Sequence, residues 1–349
     1  MKFNNLPRIK LASIPTPIQP LPNLTKTLNG PKIWIKRDDL TGLAFGGNKT
    51  RKLEYIMADA LNKKADYIVT GAGFHSNWCT QTVAAAKKLG MKIKLIKKGP
   101  EEGYDGEAWD GNHLLHKLTG AEVEVVKSEN FTSSIESEMD ELKKKGHNPY
   151  YIPIGGSIPL GAAGYLNAML ELMYQSVKEG IHFDYLVHAT GSGGTQAGLV
   201  MGTKAFNTNI NIIGATVGWD EKKEQIEKVS KIIDESKISF ELDFDFKPKD
   251  LIIYTDYKGG GYGFVSEQKL EAVKIMAQTE GIMIDPVYTA TSMACLIDLT
   301  RKKELNKNHN VLFLHTGGAV ALYPYKEPIQ AYLQNKALPW KIPDWSPDR

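Results

Sequence analysis

Between residues 67 and 153 the chain repeats one unit, a short apolar run followed by a stretch of helical spacing. The runs fall at 67–70, 93–96, 123–126 and 150–153, and the helical stretches at 82–89, near 111–118 and at 135–145. Such an alternation buries its apolar faces by pairing parallel strands and covering them with helices. It predicts a doubly wound unit of roughly a hundred residues, enough for a domain. After Gly155-Gly156-Ser157 a long helix at 161–177 opens, and the rhythm resumes with strands at 185–188, 211–215 and 311–314. A lysine/glutamate helix at 221–235 reads as a solvated face. The first segment is punctuated by prolines and leads into an alternating strand at 32–36. The expectation is an α/β protein of two open, twisted, mainly parallel-sheet domains. The large domain would comprise residues 1–53 and 161–349 and the small one residues 54–160, with the tail from Pro339 to Arg349 as a loose extension.

Composition narrows the function classes. The 349 residues are 42% hydrophobic and carry a formal charge of +3, too little to imply a nucleic-acid or membrane partner. No apolar run is long enough to span a bilayer, and the first seven residues show no signal-peptide core. Two cysteines, Cys79 and Cys295, form no disulfide framework, so a cytoplasmic protein is expected. No metal site is read from the sequence. No arginine lies between Lys52 and Thr300, so the central chain offers no guanidinium fork for a substrate carboxylate.

The chemistry concentrates at a few loops. Phe45-Gly46-Gly47-Asn48-Lys49-Thr50-Arg51 puts a lysine between a glycine pair and a helical run. Glycines let the backbone approach a flat ligand, and the helix start offers N–H groups to an anion. A lysine there suits a Schiff base with a phosphorylated aldehyde, the arrangement pyridoxal phosphate (PLP) needs. Alone, it also reads as a solvated lysine at a helix start. Strand 185–188 runs into Thr190-Gly191-Ser192-Gly193-Gly194-Thr195, a glycine loop before a helix, which suits a single phosphate. A dinucleotide site fits poorly, because no acidic residue lies about twenty positions on to hold a ribose. Ser76-Asn77-Trp78-Cys79 follows the first small-domain strand. Its backbone can hold a carboxylate and Asn77 a phenolic oxygen; without the other motifs, Ser76 and Asn77 read as helix caps. Cys79 reads as a packing residue or as a reactive thiol near a helix start. Tyr262 stands in a glycine-rich turn, Tyr288 after an apolar strand ending at Ile284-Asp285-Pro286, and Thr316 before two glycines.

In this order the motifs resemble PLP enzymes of the tryptophan-synthase-β type, fold type II, with the cofactor between two domains. The likeness is strongest to the branch of D-cysteine desulfhydrase, L-cysteate sulfo-lyase and aminocyclopropane-carboxylate deaminase. It runs from Leu6-Pro7-Arg8 to His315-Thr316-Gly317-Gly318-Ala319 and includes Lys36-Arg37-Asp38-Asp39-Leu40. The resemblance implies Lys49 as the Schiff-base lysine, with Asn48 among the cofactor contacts. Lys52 and Gly191, Ser192, Gly193, Gly194 and Thr195 would hold the phosphate, Asn77 the ring oxygen and Thr316 the pyridine nitrogen. Ser76 would meet the substrate carboxylate, with Tyr262 and Tyr288 as further catalytic residues and Asn77, Trp78 and Thr289 on the substrate side. A homodimer and a small amino-acid substrate are implied as well.

Two departures bear on the reaction. The cyclopropane deaminases carry glutamate at the position of Thr289; a carboxylate there would keep the ring nitrogen protonated. Many desulfhydrase and sulfo-lyase relatives have Ser-Asn-His-x-Arg where this chain has Ser76-Asn77-Trp78-Cys79-Thr80. The expected activity is β-elimination from D-cysteine or a related amino acid, giving a 2-oxo acid and ammonia. Cyclopropane deamination and cysteate cleavage are the alternatives, and a non-catalytic ligand-binding scaffold is the alternative of another class.

Overall fold

The computed structural model describes residues 3–99 and 109–339; most of the C-terminal extension lies outside them. Ten strands form two sheets among the described residues. They are β1 (Ile18–Pro20), β2 (Lys32–Lys36), β3 (Tyr67–Ala72), β4 (Lys92–Lys98), β5 (Glu122–Val126), β6 (Pro149–Ile152), β7 (Tyr185–Thr190), β8 (Asn211–Thr216), β9 (Ile252–Tyr254) and β10 (Asn310–Leu314). The helices are α1 (Pro22–Leu28), α2 (Lys49–Asn62), α3 (Asn77–Lys88), α4 (Gly111–Leu118), α5 (Phe131–Lys144), α6 (Pro159–Glu179), α7 (Gly194–Phe206), α8 (Lys222–Phe240), α9 (Glu267–Glu280), α10 (Thr289–Arg301) and α11 (Lys326–Leu333).

The six-stranded sheet has the order β1-β2-β10-β7-β8-β9, parallel except for the edge strand β1. Neighbours along its strands point to opposite faces, and both faces are buried. Leu186, Ile212 and Leu312 join the core under α6, α7 and α8, while Val187, Ile213 and Phe313 join the core under α9 and α10. That double burial is what a parallel sheet with helices on both sides requires. The four-stranded sheet is wholly parallel, in the order β5-β4-β3-β6. Ile68 and Leu95 pack with α2 and α3 on one face, Val69 and Ile96 with α5 on the other.

Each sheet reverses its winding once, between β3 and β6 in the small sheet and between β7 and β10 in the large one. Ligands of open α/β sheets bind at such switch points, beyond the strands' C-terminal ends. The loops after β3, β7 and β10 carry Ser76-Asn77, Gly191 to Thr195 and Thr316, while Lys49 opens α2 after β2. Helices hold these loops in register at glycine contacts. A Cβ on Gly198 of α7 would lie 2.3 Å from the Ala162 carbonyl oxygen of α6, and one on Gly164 of α6 would lie 2.4 Å from that of Arg51 in α2. Only hydrogen fits there, so α2, α6 and α7 pack backbone to backbone.

Several sequence expectations need correction. The strand expected before Asp285 is extended chain outside both sheets, since β10 fills the place between β2 and β7. The helix expected at 82–89 starts at Asn77, capped by Ser76, whose Oγ accepts from the Cys79 N–H at 3.4 Å. The helix expected at 221–235 runs on to Phe240 behind a capping box of Glu221 and Glu224.

Candidate active site

Lys49 is the first residue of α2, and the turn before it is shaped by Gly46 and Gly47, at φ 74° and 133°. A Cβ on Gly47 would lie 2.9 Å from the Thr316 carbonyl oxygen, which accepts the Asn48 N–H at 3.1 Å. The loop after β10 is thereby tied to the lysine. Asn48 donates Nδ2 to Thr195 Oγ1 at 3.0 Å and accepts from Lys49 Nζ at 3.1 Å. Gln81 of α3 accepts from the N–H and hydroxyl of Thr50, at 2.9 and 3.0 Å. Burial pulls the Lys49 ammonium from 10.5 down to about 8, with the Asp285 carboxylate acting the other way. An amine so depressed has an appreciable neutral fraction near physiological pH, rising as pH passes 8, and the neutral form is what condensation with an aldehyde demands.

One turn along α2, Lys52 is 1% exposed and donates to the Gly155 carbonyl oxygen at 3.0 Å. Burial, then the charge of Lys49, pushes its pKa well below the usual lysine value. Around it the loop after β6 meets the loop after β7. Ser157 Oγ donates to Ser192 Oγ at 2.6 Å and accepts the Gly194 N–H at 3.1 Å. Gly193 caps α7 at φ 88°, and a Cβ on Gly194 would lie 2.8 Å from Ser157 Oγ and 2.9 Å from Lys52 Nζ. The result is a cradle of helix-start N–H groups, hydroxyls and a buried ammonium, complementary to a phosphate. Ser157 was not singled out in the sequence; nothing but its packing against Ser192 and Gly194 marks it.

At the start of α3, Ser76 is buried and Asn77 half-buried. Asn77 Oδ1 accepts from Asn112 Nδ2 at 2.8 Å, and Asn77 Nδ2 would lie 2.8 Å from a Cβ on Gly318. Trp78 is turned into the core of the small sheet. Its indole N–H donates to Thr70 Oγ1 at 2.9 Å and its ring underlies Gly156, so it supports the loop after β6 from within the core. Cys79 is buried in the same core, and burial raises its thiol pKa to about 11, leaving it a packing residue.

Tyr262 and Tyr288 meet, their hydroxyls 2.5 Å apart and their rings edge to face at 5.9 Å. Close approach of Gly261, at φ 121°, to the Trp219 indole shapes the turn that delivers Tyr262. Thr289 is fully buried and holds the carboxylate of Asp285 rather than facing a substrate: its Oγ1 donates to Asp285 Oδ1 at 2.5 Å. Asp285 also accepts the N–H groups of Val287, Tyr288 and Thr289 at 3.0, 2.7 and 2.9 Å, capping α10. Its carboxylate lies beside Gly318 and its charge acts on Lys49. Quoted in the sequence only as part of a motif, Asp285 is the residue whose role was missed.

A buried lysine with a depressed pKa, a cradle complementary to a phosphate and a polar wall at two switch points fit the class of a PLP enzyme. The chain matches the family described as pyridoxal-phosphate dependent enzyme over residues 9–317. It is 40% identical to a putative 1-aminocyclopropane-1-carboxylate deaminase of Pyrococcus furiosus, over 95% of this chain and 98% of that protein. It is also 40% identical to D-cysteine desulfhydrase of Klebsiella pneumoniae strain 342, over 93% and 99%. The crystal structure of an ACC deaminase homologue superposes with a TM-score of 0.86 at 38% identity, covering 95% and 99%. The protein belongs to this family of PLP-dependent enzymes, in its deaminase and desulfhydrase branch. No helix among the described residues is long and apolar enough to cross a membrane.

Proposed function

We propose that this protein is a PLP-dependent carbon–sulfur lyase that takes D-cysteine, or a closely related amino acid with an uncharged β leaving group, and water to a 2-oxo acid, ammonia and the released leaving group, hydrogen sulfide from D-cysteine. The observation that carries this reading is the charge inventory of the cleft. Among the described residues, Lys49 and Lys52 are committed to the cofactor in this proposal, Arg51 is buried in ion pairs with Asp38 and Glu171, and Lys269 is spent on the Lys258 and Phe264 carbonyl oxygens. A second anionic group such as a sulfonate would need a further counter-charge that these commitments leave unsupplied among the described residues, whereas a thiol needs none. The single carboxylate of the substrate is met by the N–H groups that open α3 and by the Ser76 hydroxyl, whose oxygen accepts from the Cys79 N–H.

PLP supplies the electron sink for cleavage at the α and β carbons. Lys49 Nζ, in its deprotonated form and steadied by Asn48 Oδ1, would accept the Cα proton. The paired hydroxyls of Tyr262 and Tyr288 hold a proton at the leaving-group side. Thr316 offers the ring nitrogen a neutral hydroxyl, and Thr289, bonded to Asp285, leaves no free carboxylate at the glutamate position of the cyclopropane deaminases. A weaker electron sink favours prompt loss of a thiol over ring opening. The proposal includes the two domains, 1–53 with 161–349 and 54–160, a cytoplasmic location and a homodimer. The outward residues Leu170, Tyr174 and Val177 along α6 suit a subunit contact.

The test is a panel of D- and L-cysteine, L-cysteate and 1-aminocyclopropane-1-carboxylate, read for ammonia, sulfide and 2-oxo acid. Sulfide from D-cysteine at a kcat/KM well above the others supports the proposal. Preferential release of 2-oxobutanoate from the cyclopropane substrate overturns it in favour of the deaminase. PLP binding without turnover of any of them would mark a non-catalytic scaffold.

A further inference from the structure

Asn112, near the start of α4, reaches to the first turn of α3. Its Nδ2 donates to the His75 carbonyl oxygen at 2.9 Å and to Asn77 Oδ1 at 2.8 Å, and its Oδ1 accepts from Thr80 Oγ1 at 2.7 Å. A peptide carbonyl can only accept, so the His75 contact fixes which end of the Asn112 amide carries hydrogens. The Asn77 atom facing that NH2 group must then be oxygen. The Asn77 NH2 group is thereby turned the other way, towards Gly318 and the Asp285 carboxylate. The same logic runs outward. The Thr80 proton is committed to Asn112, so His116 Nε2, 2.9 Å from Thr80 Oγ1, is the donor to that hydroxyl. His116 Nδ1 is buried without a hydrogen-bond partner among the described residues, as suits the bare nitrogen of a neutral ring. Burial, reinforced by the charge of Lys97, holds the His116 pKa well below its usual value. Asn112 is 1% exposed, so water does not compete for these bonds. A Cβ on Gly111 would lie 2.5 Å from Pro324 Cγ, so the start of α4 is seated on the chain beyond β10 while Asn112 grips α3.

We infer that Asn112 is a positioning residue: through its bond to Asn77 Oδ1 it makes Asn77 present an NH2 group, not a carbonyl oxygen, to the phenolic oxygen of PLP. Thr80 and His116 hold Asn112 itself in that sense. The inference rests on the reading that Asn77 faces that oxygen. A donor there stabilises the phenolate and weakens its hold on the proton shared with the Lys49 nitrogen, lowering the pH midpoint of the visible band.

Asn112→Asp tests this with little change of shape. A carboxylate cannot donate, so the Asn77 amide must turn over to meet it and present its oxygen to the cofactor. Two readouts are taken on purified protein: the pH midpoint of the visible absorbance band and the PLP dissociation constant of the apoprotein. Asn112→Asp and Asn77→Ala should each raise the midpoint by about one unit and weaken PLP binding about tenfold, the scale of one hydrogen bond to a charged group. Thr80→Val should shift both the same way by less, and Thr80→Ser, which keeps the hydroxyl, should restore the wild-type values. A shift in Asn77→Ala with none in Asn112→Asp overturns the inference and leaves the Asn77 reading standing. No shift in Asn77→Ala overturns both. If Asn112→Asp fails to fold, Thr80→Val decides, and a wild-type midpoint there overturns the inference.

Discussion

Gly194→Ala isolates the phosphate cradle from the rest of the site. Gly194 is a helical residue of α7, so the new methyl meets no backbone strain. It would lie 2.8 Å from Ser157 Oγ, 2.9 Å from Lys52 Nζ and 3.0 Å from Ser157 Cα. Carbon does not sit that close to any of them, so the ammonium or the hydroxyl withdraws. A hydrogen bond to a charged group contributes about 1.5–3 kcal/mol, so losing that of Lys52 alone weakens PLP binding by roughly 10- to 150-fold. Alanine for glycine in a helix stabilises by about 0.5–1 kcal/mol, which offsets part of the local crowding in the apoprotein. Titrating apoprotein with PLP, followed by fluorescence, and melting the apoprotein in parallel separates the two effects. The expected result is a large loss of affinity with an apoprotein melting temperature near that of the wild type. Affinity within twofold of the wild type would refute the assignment of this cradle to the phosphate.

Lys49→Ala should abolish turnover, checked by ammonia release, while the rate of PLP reconstitution of wild-type apoprotein should rise with pH through a midpoint near 8, where the Lys49 amine becomes neutral. Arg51→Met leaves the buried Asp38 and Glu171 carboxylates without their shared guanidinium and should cost about 3–5 kcal/mol in urea unfolding. Although burial pushes it up, the charge of Arg51 holds the Asp38 carboxyl down at about 2 against 3.8, so its contribution to stability is present above pH 3.8 and is lost as pH falls through 2. Acid denaturation of Asp38→Asn should lack that component. Trp78→Phe removes the bond to Thr70 and should lower stability by about 1–2 kcal/mol with KM unchanged, since the indole does not meet substrate. Sedimentation should give a dimer, and Tyr174→Glu should shift it towards monomer.

Much of the fold was legible because the signals were local. An apolar run, a glycine cluster and a helical stretch in succession spell out β7, its loop and α7 without reference to anything distant. The strands β1 and β9 escaped because three residues at a sheet edge leave too short a pattern. Asp285 and Thr289 show the harder limit. The sequence offered threonine where relatives have glutamate and so suggested a substrate contact. Only the start of α10 reveals that the hydroxyl is spent on a carboxylate four residues back. Ser157 and Asn112 were invisible for a related reason, since each acts across 32 residues or more on partners that local pattern cannot supply.

The glycine contacts among α2, α6 and α7 also set how the protein behaves without its cofactor. They bring the N-terminal ends of α2 and α7 together around Lys52, whose charge is opposed by that of Lys49. Rigid packing keeps the two lysines close and dry, so Lys52 holds its proton weakly while the jaw is empty. An anion filling it restores the affinity of Lys52 for a proton, and each increment of bound cofactor draws the population towards the folded state.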